Sequence, residues 1–342
     1  MQNGDLIVRE HPRQHYKTLF DRQTGFFIRK EESGFSEPAW AMDGPELIDL
    51  SITNYCERGC SFCYRETSNK DALFMSIADV ENVVSQAENC GTLQIALGGG
   101  NPNQHPQFIE VLKLIREHGI VPSFTSNGDG LTDDILQATS MYCGAMAVSV
   151  YPPYDEKRYE KLLARVKGSG VKVNLHAIIK NDTIDVWIRW LEAPPKFFKY
   201  INAVIFLNYK PVRGNSFVVD MNKIKSFFEM VNKCQSVKVG FDSCSISGIT
   251  RWMDTPSYLI EPCEAASFSA FISEDMKMYP CSFMTRHGYY GDLRKQSILD
   301  IWQHNLHFQK YRSKAMPTRC KDCSLYKICK GGCHLYPAIN FC

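Results

Sequence analysis

The sequence lacks the two signals that direct a chain to a membrane. Its first segment, MQNGDLIVREHPRQHYK, has no apolar region of the kind found in signal peptides. No apolar run elsewhere approaches the ~18 residues that a transmembrane helix needs. We therefore predict a cytoplasmic protein with no membrane partner.

The sequence also lacks an excess of charge of one sign. Its 39 lysines and arginines nearly balance its 37 aspartates and glutamates. No overall field therefore attracts the chain to nucleic acid or to an anionic surface. Internal repeats and low-complexity tracts are absent too. We predict no nucleic-acid partner, and the motifs must indicate what the protein binds.

Cysteine, by contrast, is abundant, with 14 residues among 342. A chain that stays in a reducing compartment does not keep so many thiols as disulfides. Clustered cysteines there more often bind metal or carry out redox chemistry. Metal binding is therefore the leading interpretation of the cysteine clusters.

The order of strand and helix patterns predicts an α/β protein. Six short segments rich in apolar or β-branched residues alternate with segments whose apolar residues recur at three- and four-residue spacing. The predicted strands are Leu47–Thr53, Thr92–Leu97, Pro122–Thr125, Met146–Val150, Val171–Ile179 and Ile201–Leu207. Six such βα units favour parallel strands that close, fully or partly, into a TIM-like (β/α)6 barrel.

The chain is long enough for more than one domain, and its pattern changes at two places. Residues 1–45 contain a predicted β-hairpin that turns between Asp21 and Gly25, and residues 46–236 contain the βα units. From residue 237 to residue 342 cysteines multiply, and one helical segment, QSILDIWQHNLHFQKYRS, interrupts a loop-rich chain. We predict that this last domain is held together by something other than a large core.

Three cysteines, Cys56, Cys60 and Cys63, follow directly on the first predicted barrel strand. Parallel barrels collect their active-site loops at this end of the strands. The spacing C-x3-C-x2-C lets one tight loop direct three thiolates at a common point, which suits a cubane iron–sulfur cluster with one iron left open. A zinc knuckle, or three unrelated core thiols, is the alternative.

Through CERGCSFC and the strand plan, the sequence resembles the radical S-adenosylmethionine (radical SAM) enzymes. In that family SAM chelates the open iron, and an electron from the cluster cleaves SAM to a 5′-deoxyadenosyl radical. The resemblance implies hydrogen-atom abstraction and an electron donor similar to flavodoxin or ferredoxin. It also implies that Phe62 contacts the adenine, and that Tyr64 is an aromatic residue shared by many members.

The resemblance implies further SAM contacts at the other strand ends. LGGGNP resembles the family's Gly-Gly-Glu-Pro loop without its acid, and glycines there let the backbone approach a ligand. TSNG resembles Thr-Asn-Gly, and VSVYP replaces Ser-Leu-Asp-Gly. Arg158 would meet the SAM carboxylate and Ile178 the adenine, with a solvated helix face and a core position as the alternatives. The implied SAM-binding residues are Gly98, Gly99, Gly100, Asn101, Ser126, Asn127, Ser149, Arg158 and Ile178.

A second cysteine group lies near the C-terminus, in CKDCSLYKICKGGC. With the upstream cysteines and the phrase YGDLRKQSILDIW, it resembles a SPASM domain, which carries two auxiliary 4Fe-4S clusters beside the SAM-binding one, three in all. The resemblance implies that one auxiliary cluster takes Cys263, Cys281 and Cys333. The other would take Cys320, Cys323, Cys329 and Cys342.

Cys244 is the natural fourth ligand of the first auxiliary cluster. If Cys244 does not bind, that cluster has an open iron that a substrate thiolate or amine could occupy. Two zinc sites of four thiolates each could use the same eight cysteines, so a zinc ribbon is the alternative for the whole group.

Enzymes with this two-part plan mostly modify peptides, so the resemblance implies a ribosomally made precursor peptide as substrate. In the sulfatase-maturing branch an aspartate follows the cysteine that matches Cys281, and here Ser282 follows it, which disfavours that oxidation. The first 45 residues are shorter than a winged-helix leader-binding module of ~80 residues. A separate leader-recognition protein, or direct peptide binding along the barrel and the hairpin edge, is implied.

We predict a cross-link, through a thioether, carbon–carbon or ether bond, over epimerisation. An epimerase needs a hydrogen donor, typically a cysteine, and no spare cysteine is predicted at the top of the barrel unless Cys244 is free. Candidate acid or base groups are Tyr209 and Lys210, just after the sixth predicted strand, and Asp242, at the start of the cysteine-rich domain. They lie at the end of the barrel where chemistry takes place. A structural role is the alternative for each of the three.

Two functions of other classes remain open at this stage. A zinc-binding interaction module would keep the cysteines but ignore SAM. A radical enzyme that acts on a small molecule would cleave SAM without any peptide.

Overall fold

In the computed structural model the described residues are 5–65, 67, 70–212 and 217–342. The strands are β1 (Leu6–His11), β2 (Tyr16–Asp21), β3 (Phe27–Glu31), β4 (Leu47–Thr53), β5 (Gln94–Gly99), β6 (Val121–Ser126), β7 (Ala145–Val150), β8 (Val173–Ile179), β9 (Ala203–Asn208), β10 (Val239–Phe241), β11 (Ser269–Ile272), β12 (Lys277–Tyr279) and β13 (Gly291–Asp292). The fold is mixed α/β, as predicted, and the six predicted barrel strands correspond to β4 to β9.

The helices follow the predicted apolar spacing, and polar caps fix where several of them begin. Ser76 caps the first helix by accepting a hydrogen bond from the Asp79 amide, and Asp155 caps the fourth in the same way. The helices are α1 (Ile77–Asn89), α2 (Phe108–Glu117), α3 (Asp133–Tyr142), α4 (Glu156–Gly168), α5 (Ile184–Glu192), α6 (Met221–Lys233), α7 (Ile246–Trp252), α8 (Ile298–His304), α9 (Leu306–Arg312) and α10 (Tyr326–Cys329). Within the described ranges, no helix is long and apolar enough to cross a bilayer.

The chain forms two compact units. The first consists of the described parts of Met1–Thr125, Gly130–Met146 and Ala265–Lys314, and the second of Ser126–Asp129, Ala147–Glu264 and Ala315–Cys342. A segment that the sequence assigned to the C-terminal domain thus belongs to the first unit, because β11 pairs in parallel with β4. The predicted boundaries at residues 46 and 237 stay a prediction.

In the first unit, β4 lies between β5 and β11. The order of the strands is β6-β5-β4-β11-β12-β13, parallel from β6 to β11 and antiparallel from β11 onward. In the second unit the order is β7-β8-β9-β10, with β8, β9 and β10 parallel. This is the arrangement that repeated βα units produce. Closure into a barrel stays a prediction.

The N-terminal segment is a three-stranded antiparallel sheet, with strand order β1-β2-β3. The predicted hairpin around residues 21–25 is present between β2 and β3, and β1 adds a strand that the sequence did not predict. Phe20 of this sheet packs in one buried cluster with Leu93 and Val121. Because Leu93 precedes β5 and Val121 begins β6, the sheet covers the amino-terminal end of these strands.

The helical segment predicted in the C-terminal region is two helices and not one. Asn305 ends α8 and caps α9, whose His307 amide donates a 2.9 Å hydrogen bond to the Asn305 side chain. The short polar side chain competes with the helical backbone, so the chain bends at this residue.

Candidate active site

The loop that carries Cys56, Cys60 and Cys63 begins three residues after β4, at the carboxyl end of that strand. All three cysteines are partly buried. The amide of Cys63 donates a 3.0 Å hydrogen bond to the carbonyl of Cys60, which tightens the loop into a turn. Burial and the neighbouring sulfurs of Cys63 and Cys56 raise the pKa of Cys60. The loop therefore has the donor type that a cubane cluster needs.

The glycine run at the end of β5 packs directly on this cysteine loop. A Cβ on Gly100 would lie 1.8 Å from the carbonyl oxygen of Tyr55, and one on Gly99, which has φ of +116°, would lie 2.1 Å from the Thr53 oxygen. The Gly100 and Asn101 amides donate hydrogen bonds of 2.7 Å to Thr53 and Tyr55. These glycines are required because two backbone segments touch.

Gly98 differs from the next two glycines. No described atom lies within 4 Å of the position that a Cβ on Gly98 would take. This open space at the end of β5 gives room for a ligand beside the cysteine loop. Asn101, which stands in place of the family's acid, is buried. The residues present therefore fit a cluster-bound SAM, although the roles of the individual residues stay predictions.

A buried ion pair that the sequence did not predict lies against the cysteine loop. Arg65, two residues after Cys63, pairs with Glu274, and their side chains are 5% and 10% exposed. The hydroxyl of Ser51 donates a 2.6 Å hydrogen bond to the same Glu274 carboxylate. The guanidinium also lies 5.0 Å from the centre of the Phe271 ring. Arg65 thereby ties the loop to β4 and to the chain that follows β11.

One side of this guanidinium has no partner. Its Nε atom is buried and has no hydrogen-bond partner within the described parts of the chain. The sequence shows a charged residue just after the cysteine motif, at position 65. Its spacing from residue 274 gives no indication that the two side chains pair. Only the parallel pairing of β11 with β4 brings them together.

Asp49 is a second residue that the sequence reading missed. It lies on β4 opposite the face buried by Ile48 and Leu50, and its side chain is exposed. Partial loss of hydration among the surrounding protein atoms raises its pKa to about 6. A single acid in the apolar strand LIDLSIT was the signal that could have identified it.

The two aromatic residues of the cysteine loop have different surroundings. Phe62 is partly buried within the loop. The ring of Tyr64 packs at 4.4 Å on Phe283, and its hydroxyl shares a hydrogen bond with the Ser282 side chain. Tyr64 therefore connects the loop to the segment that follows Cys281, which begins the 3-10 turn Ser282–His287.

The other predicted SAM contacts lie in the second unit, and several already have local partners. The Ser126 hydroxyl accepts a hydrogen bond of 2.9 Å from the Gly128 amide, and the Asn127 side chain accepts one of 2.8 Å from the Asp129 amide. The Arg158 guanidinium pairs with Asp129.

Ser149 is buried, and its carbonyl accepts a hydrogen bond from the Tyr159 hydroxyl. Ile178 is partly exposed and shares one face of β8 with Asn174 and His176, opposite the buried face. Burial lowers the pKa of His176 to about 4, although the Asp242 carboxylate opposes that shift. Whether these groups bind SAM stays a prediction.

Cys244 and Cys333 come together in the second unit. The Cys244 thiol donates a hydrogen bond to the Cys333 sulfur, which lowers the pKa of Cys333 to about 6 and raises that of Cys244. The Lys210 ammonium favours the thiolate of both residues. Ligation of one cluster by both residues stays a prediction.

Of the three predicted acid or base groups, two form a buried ion pair. Lys210 pairs with Asp242, and their side chains are 7% and 19% exposed. Tyr209 is buried with its ring against Phe217. Lys210 and Asp242 lie beside Cys244, and their role as acid or base stays a prediction.

Four of the other predicted cluster ligands lie in two local pairs. Cys320 and Cys323 share one turn, with a 3.1 Å hydrogen bond from the Cys323 amide to the Cys320 carbonyl. Burial raises the pKa of Cys329, and the nearby Cys342 sulfur adds to this. Cys263 and Cys281 are partly buried, and their ligation together with Cys333 stays a prediction.

Three further cysteines are not among the predicted cluster ligands. Cys90, Cys143 and Cys234 each end a helix, respectively α1, α3 and α6. Among residues 5–65, 67, 70–212 and 217–342, no group of three or more histidine, cysteine, aspartate or glutamate side chains converges on a single metal-ion position.

The family comparisons match both halves of this arrangement. Residues 50–193 match the radical SAM superfamily, and residues 263–324 match an iron–sulfur cluster-binding domain, the SPASM domain. The fold and the cysteine sites thus define an iron–sulfur enzyme class. The chain is a radical SAM enzyme with a SPASM domain.

Several curated proteins are similar to this chain over most of its length. PqqA peptide cyclase of Ruegeria pomeroyi is 20% identical over 325 residues, which are 88% of this chain and 85% of that protein. Mycofactocin maturase MftC of Mycobacterium tuberculosis is 21% identical over 316 residues, 85% and 79% of the two chains. GTP 3′,8-cyclase of Cronobacter sakazakii is 23% identical over 180 residues, and the match spans only about half of that protein, 54%.

Among solved structures, the chain resembles SuiB of Streptococcus suis. The structure of SuiB bound to its precursor peptide SuiA superimposes with a TM-score of 0.77 at 15% identity, covering 97% of this chain and 94% of SuiB. The structure of SuiB bound to S-adenosylmethionine gives 0.76 at 16% identity, covering 97% and 95%. These likenesses establish the shared fold.

Proposed function

We propose that this enzyme modifies a ribosomally made precursor peptide and installs a cross-link in it, through a thioether or carbon–carbon bond. One observation carries the proposal. The chain is similar over at least 85% of its length to PqqA peptide cyclase and to mycofactocin maturase MftC, whose names describe peptide maturation. These two matches are long enough to include at least part of the cysteine-rich C-terminal region, whereas the GTP 3′,8-cyclase match covers 46% of the chain.

The proposed cofactors are SAM and three 4Fe-4S clusters, of which one binds SAM. When bound, SAM and its cluster supply a 5′-deoxyadenosyl radical that abstracts hydrogen. Cys56, Cys60 and Cys63 hold that cluster at the end of β4, and the space beside Gly98 receives the cofactor. Arg65 and Glu274 keep the loop in place, because their buried ion pair links it to two neighbouring segments.

The contacts of Ser282 favour a cross-link over sulfatase-type oxidation. That oxidation uses an acid in this position, by the family resemblance, whereas the Ser282 side chain bonds the Tyr64 hydroxyl. A serine hydroxyl at that position is not a carboxylate base.

The position of Cys244 favours a cross-link over epimerisation. The thiol lies against Cys333 and beside the Lys210 ammonium, which suits a cluster ligand better than a free hydrogen donor. Cys90 and Cys143 lie at helix ends that precede β5 and β7, away from the carboxyl ends of those strands. The cysteine side chains therefore support a cross-linking enzyme.

The N-terminal sheet offers one face for a leader peptide. Its buried face covers the amino-terminal end of β5 and β6, while Leu6, Val8, Phe26 and Ile28 are each at least 40% exposed on the sheet or its turn. The cysteine loop lies at the opposite end of the strands. A leader held on this sheet must therefore leave enough chain to reach the other end, or a separate recognition protein must deliver the peptide.

The test is a reaction of the anaerobically reconstituted enzyme with SAM, a reductant and synthetic precursor peptides from reading frames beside its gene. We expect 5′-deoxyadenosine together with a peptide that has lost two hydrogen atoms and carries a new bond between residues, located by tandem mass spectrometry. The control is the variant in which Cys56, Cys60 and Cys63 are alanine.

Other products would contradict the proposal. An unchanged peptide mass with uptake of solvent deuterium would indicate epimerisation. Cleavage of SAM that no peptide stimulates would indicate a small-molecule substrate. Bound zinc without iron would indicate an interaction module.

A further inference from the structure

Lys210 is a buried cation beside two cysteine sulfurs, and the proposed chemistry does not use it. It lies two residues after β9, and its side chain is 7% exposed. Its charge acts on Cys244 and on Cys333, whose thiolates it favours. Its ammonium forms an ion pair with the carboxylate of Asp242, which lies two residues before Cys244. A positive charge therefore lies beside this pair of cysteines.

Asp242 fixes both the lysine and the turn that presents Cys244. One carboxylate oxygen binds the Lys210 ammonium. The other accepts hydrogen bonds of 3.1 Å from the Asn208 amide and 2.9 Å from the Ser245 hydroxyl. The Asn208 side chain in turn donates a 3.2 Å hydrogen bond to the carbonyl of Cys244. The lysine and the cysteine are thus positioned by the same group of side chains.

Cys333 is held equally firmly from the other side. Its amide donates a 2.7 Å hydrogen bond to the Asn340 side chain, which donates a 2.9 Å hydrogen bond back to the carbonyl of Cys333. The Tyr336 amide donates to the Cys333 sulfur at 3.4 Å. Hydrogen bonds thus hold the backbone of both cysteines, and an ion pair holds the cation beside them.

We propose that Lys210 is a positioning residue that compensates the negative charge of the auxiliary iron–sulfur cluster held by Cys244 and Cys333, and that it sets the reduction potential of that cluster. The inference rests on the proposed presence of the cluster, and it goes beyond the proposed reaction. Net charge and contacts to the sulfurs determine the potentials of protein-bound clusters. A buried cation stabilises the reduced, more negative state, so Lys210 raises the potential and Asp242 partly opposes it.

The experiment is a redox titration, followed by electron paramagnetic resonance, of the full chain in which Cys56, Cys60 and Cys63 are alanine, so that only auxiliary clusters contribute. We expect Lys210→Met to lower one midpoint potential and Asp242→Asn to raise the same one. Each shift should correspond to at least a tenfold change in the reduction equilibrium, about 59 mV for one electron. The other auxiliary cluster should stay unchanged.

The matched control is Lys180→Met. Lys180 is also a buried lysine, directly after β8, with its ammonium 2.9 Å from Asp182. Its removal should leave both midpoint potentials unchanged. If Lys210→Met shifts neither potential more than this control does, or if the two charge-removing variants shift it in the same direction, the inference is wrong.

If Lys210→Met loses iron, its potential cannot be compared with that of the parent protein. Lys210→Arg, which keeps the positive charge, is then the variant that tests the inference. Native iron and potential in the arginine variant would support charge compensation, and loss of iron there as well would refute it. If the parent protein has no auxiliary cluster at all, the proposed function itself fails, and this outcome is visible in the iron content before any titration.

Discussion

The cysteine loop after β4 and the pair Cys244–Cys333 are two thiolate sites built in different ways. In the first, three cysteines lie on one continuous loop whose backbone packs against a glycine run. In the second, two cysteines from distant parts of the sequence meet among buried polar side chains, with a lysine beside them. The first site leaves space beside it, and the second is enclosed by its own hydrogen bonds.

The difference corresponds to the role proposed for each site. A cluster that binds a cofactor needs an open position and a loop whose backbone leaves room, which glycine provides. A cluster that only transfers or stores electrons needs fixed ligands and a fixed charge environment. Variants that disturb one site and leave the other intact therefore test the comparison.

The largest expected effect is at the cysteine loop itself. Cys60→Ala removes a ligand, so we expect SAM cleavage to disappear and about four irons per chain to be lost. The matched control is Cys234→Ala, at the end of α6, which should keep both. Iron analysis and 5′-deoxyadenosine measurement check this. Equal iron in the two variants would contradict the assignment of the loop.

The next largest effect concerns the buried ion pair that supports the loop. Glu274→Gln leaves the Arg65 guanidinium buried without its counter-charge, so the free energy of unfolding should fall by about 3–5 kcal/mol. Asp275→Asn, in the same turn but 37% exposed, should cost at most about 1 kcal/mol. Denaturant unfolding of both variants measures the difference. A cost for Glu274→Gln no larger than that of the control would show that the pair does not hold the loop.

The third prediction concerns His176, which faces the Asp242 side of the second site. Its pKa is about 4 in the folded protein and about 6.5 in an unfolded chain, so the unfolded chain binds more protons between these values. Stability should therefore fall as pH decreases from about 6.5 to 4, by up to about 3 kcal/mol. We expect His176→Gln to flatten this pH dependence, measured by unfolding at several pH values.

The control for His176 is His304→Gln, at the exposed end of α8, which should retain the native slope. An unchanged slope in His176→Gln would mean that another group carries the pH dependence.

The smallest effect distinguishes the two glycines at the end of β5. Gly100→Ala would place its Cβ 1.8 Å from the Tyr55 oxygen, so the loop must shift, at a cost of about 1–3 kcal/mol. Gly98→Ala has open space and should cost less than about 0.5 kcal/mol. Melting temperature and iron content test both, and SAM affinity of Gly98→Ala reports whether the cofactor uses that space. A Gly100→Ala variant as stable as Gly98→Ala would contradict the close approach.

Local patterns were sufficient for the barrel strands and for the cysteine loop. The strand over Leu47–Thr53 and the thiols that follow it are read from one continuous segment, because strand alternation and ligand spacing are short-range properties. The sequence analysis missed β1, because its segment LIVREH carries no strong turn signal. This strand is recognised only from its antiparallel pairing with β2. The break between α8 and α9 depends on one capping asparagine within an otherwise continuous helical pattern.

The site was predictable only in part, for a similar reason. The sequence singled out Lys210 by its place after a strand and Asp242 by its place at the start of the cysteine-rich domain, but spacing does not reveal that the two form an ion pair. Arg65 was not singled out, because its partner Glu274 lies on another part of the chain. Charges that pair over such separations leave no periodic signal.

The sequence by itself determined the class of this protein. The sequence contains three thiols on one loop after a strand and a second cysteine group near the C-terminus. Both are short continuous motifs, so they indicate iron–sulfur sites without knowledge of the tertiary structure. Only the tertiary structure decided the surroundings of those sites. The parallel pairing of β11 with β4 brings Glu274 to Arg65, and the arrangement of β9 with its neighbouring loops encloses Cys244 with Lys210. Contacts of this kind depend on the packing of distant segments. A charge that is buried by this packing needs a partner of opposite charge, and sequence spacing does not specify which residue that is.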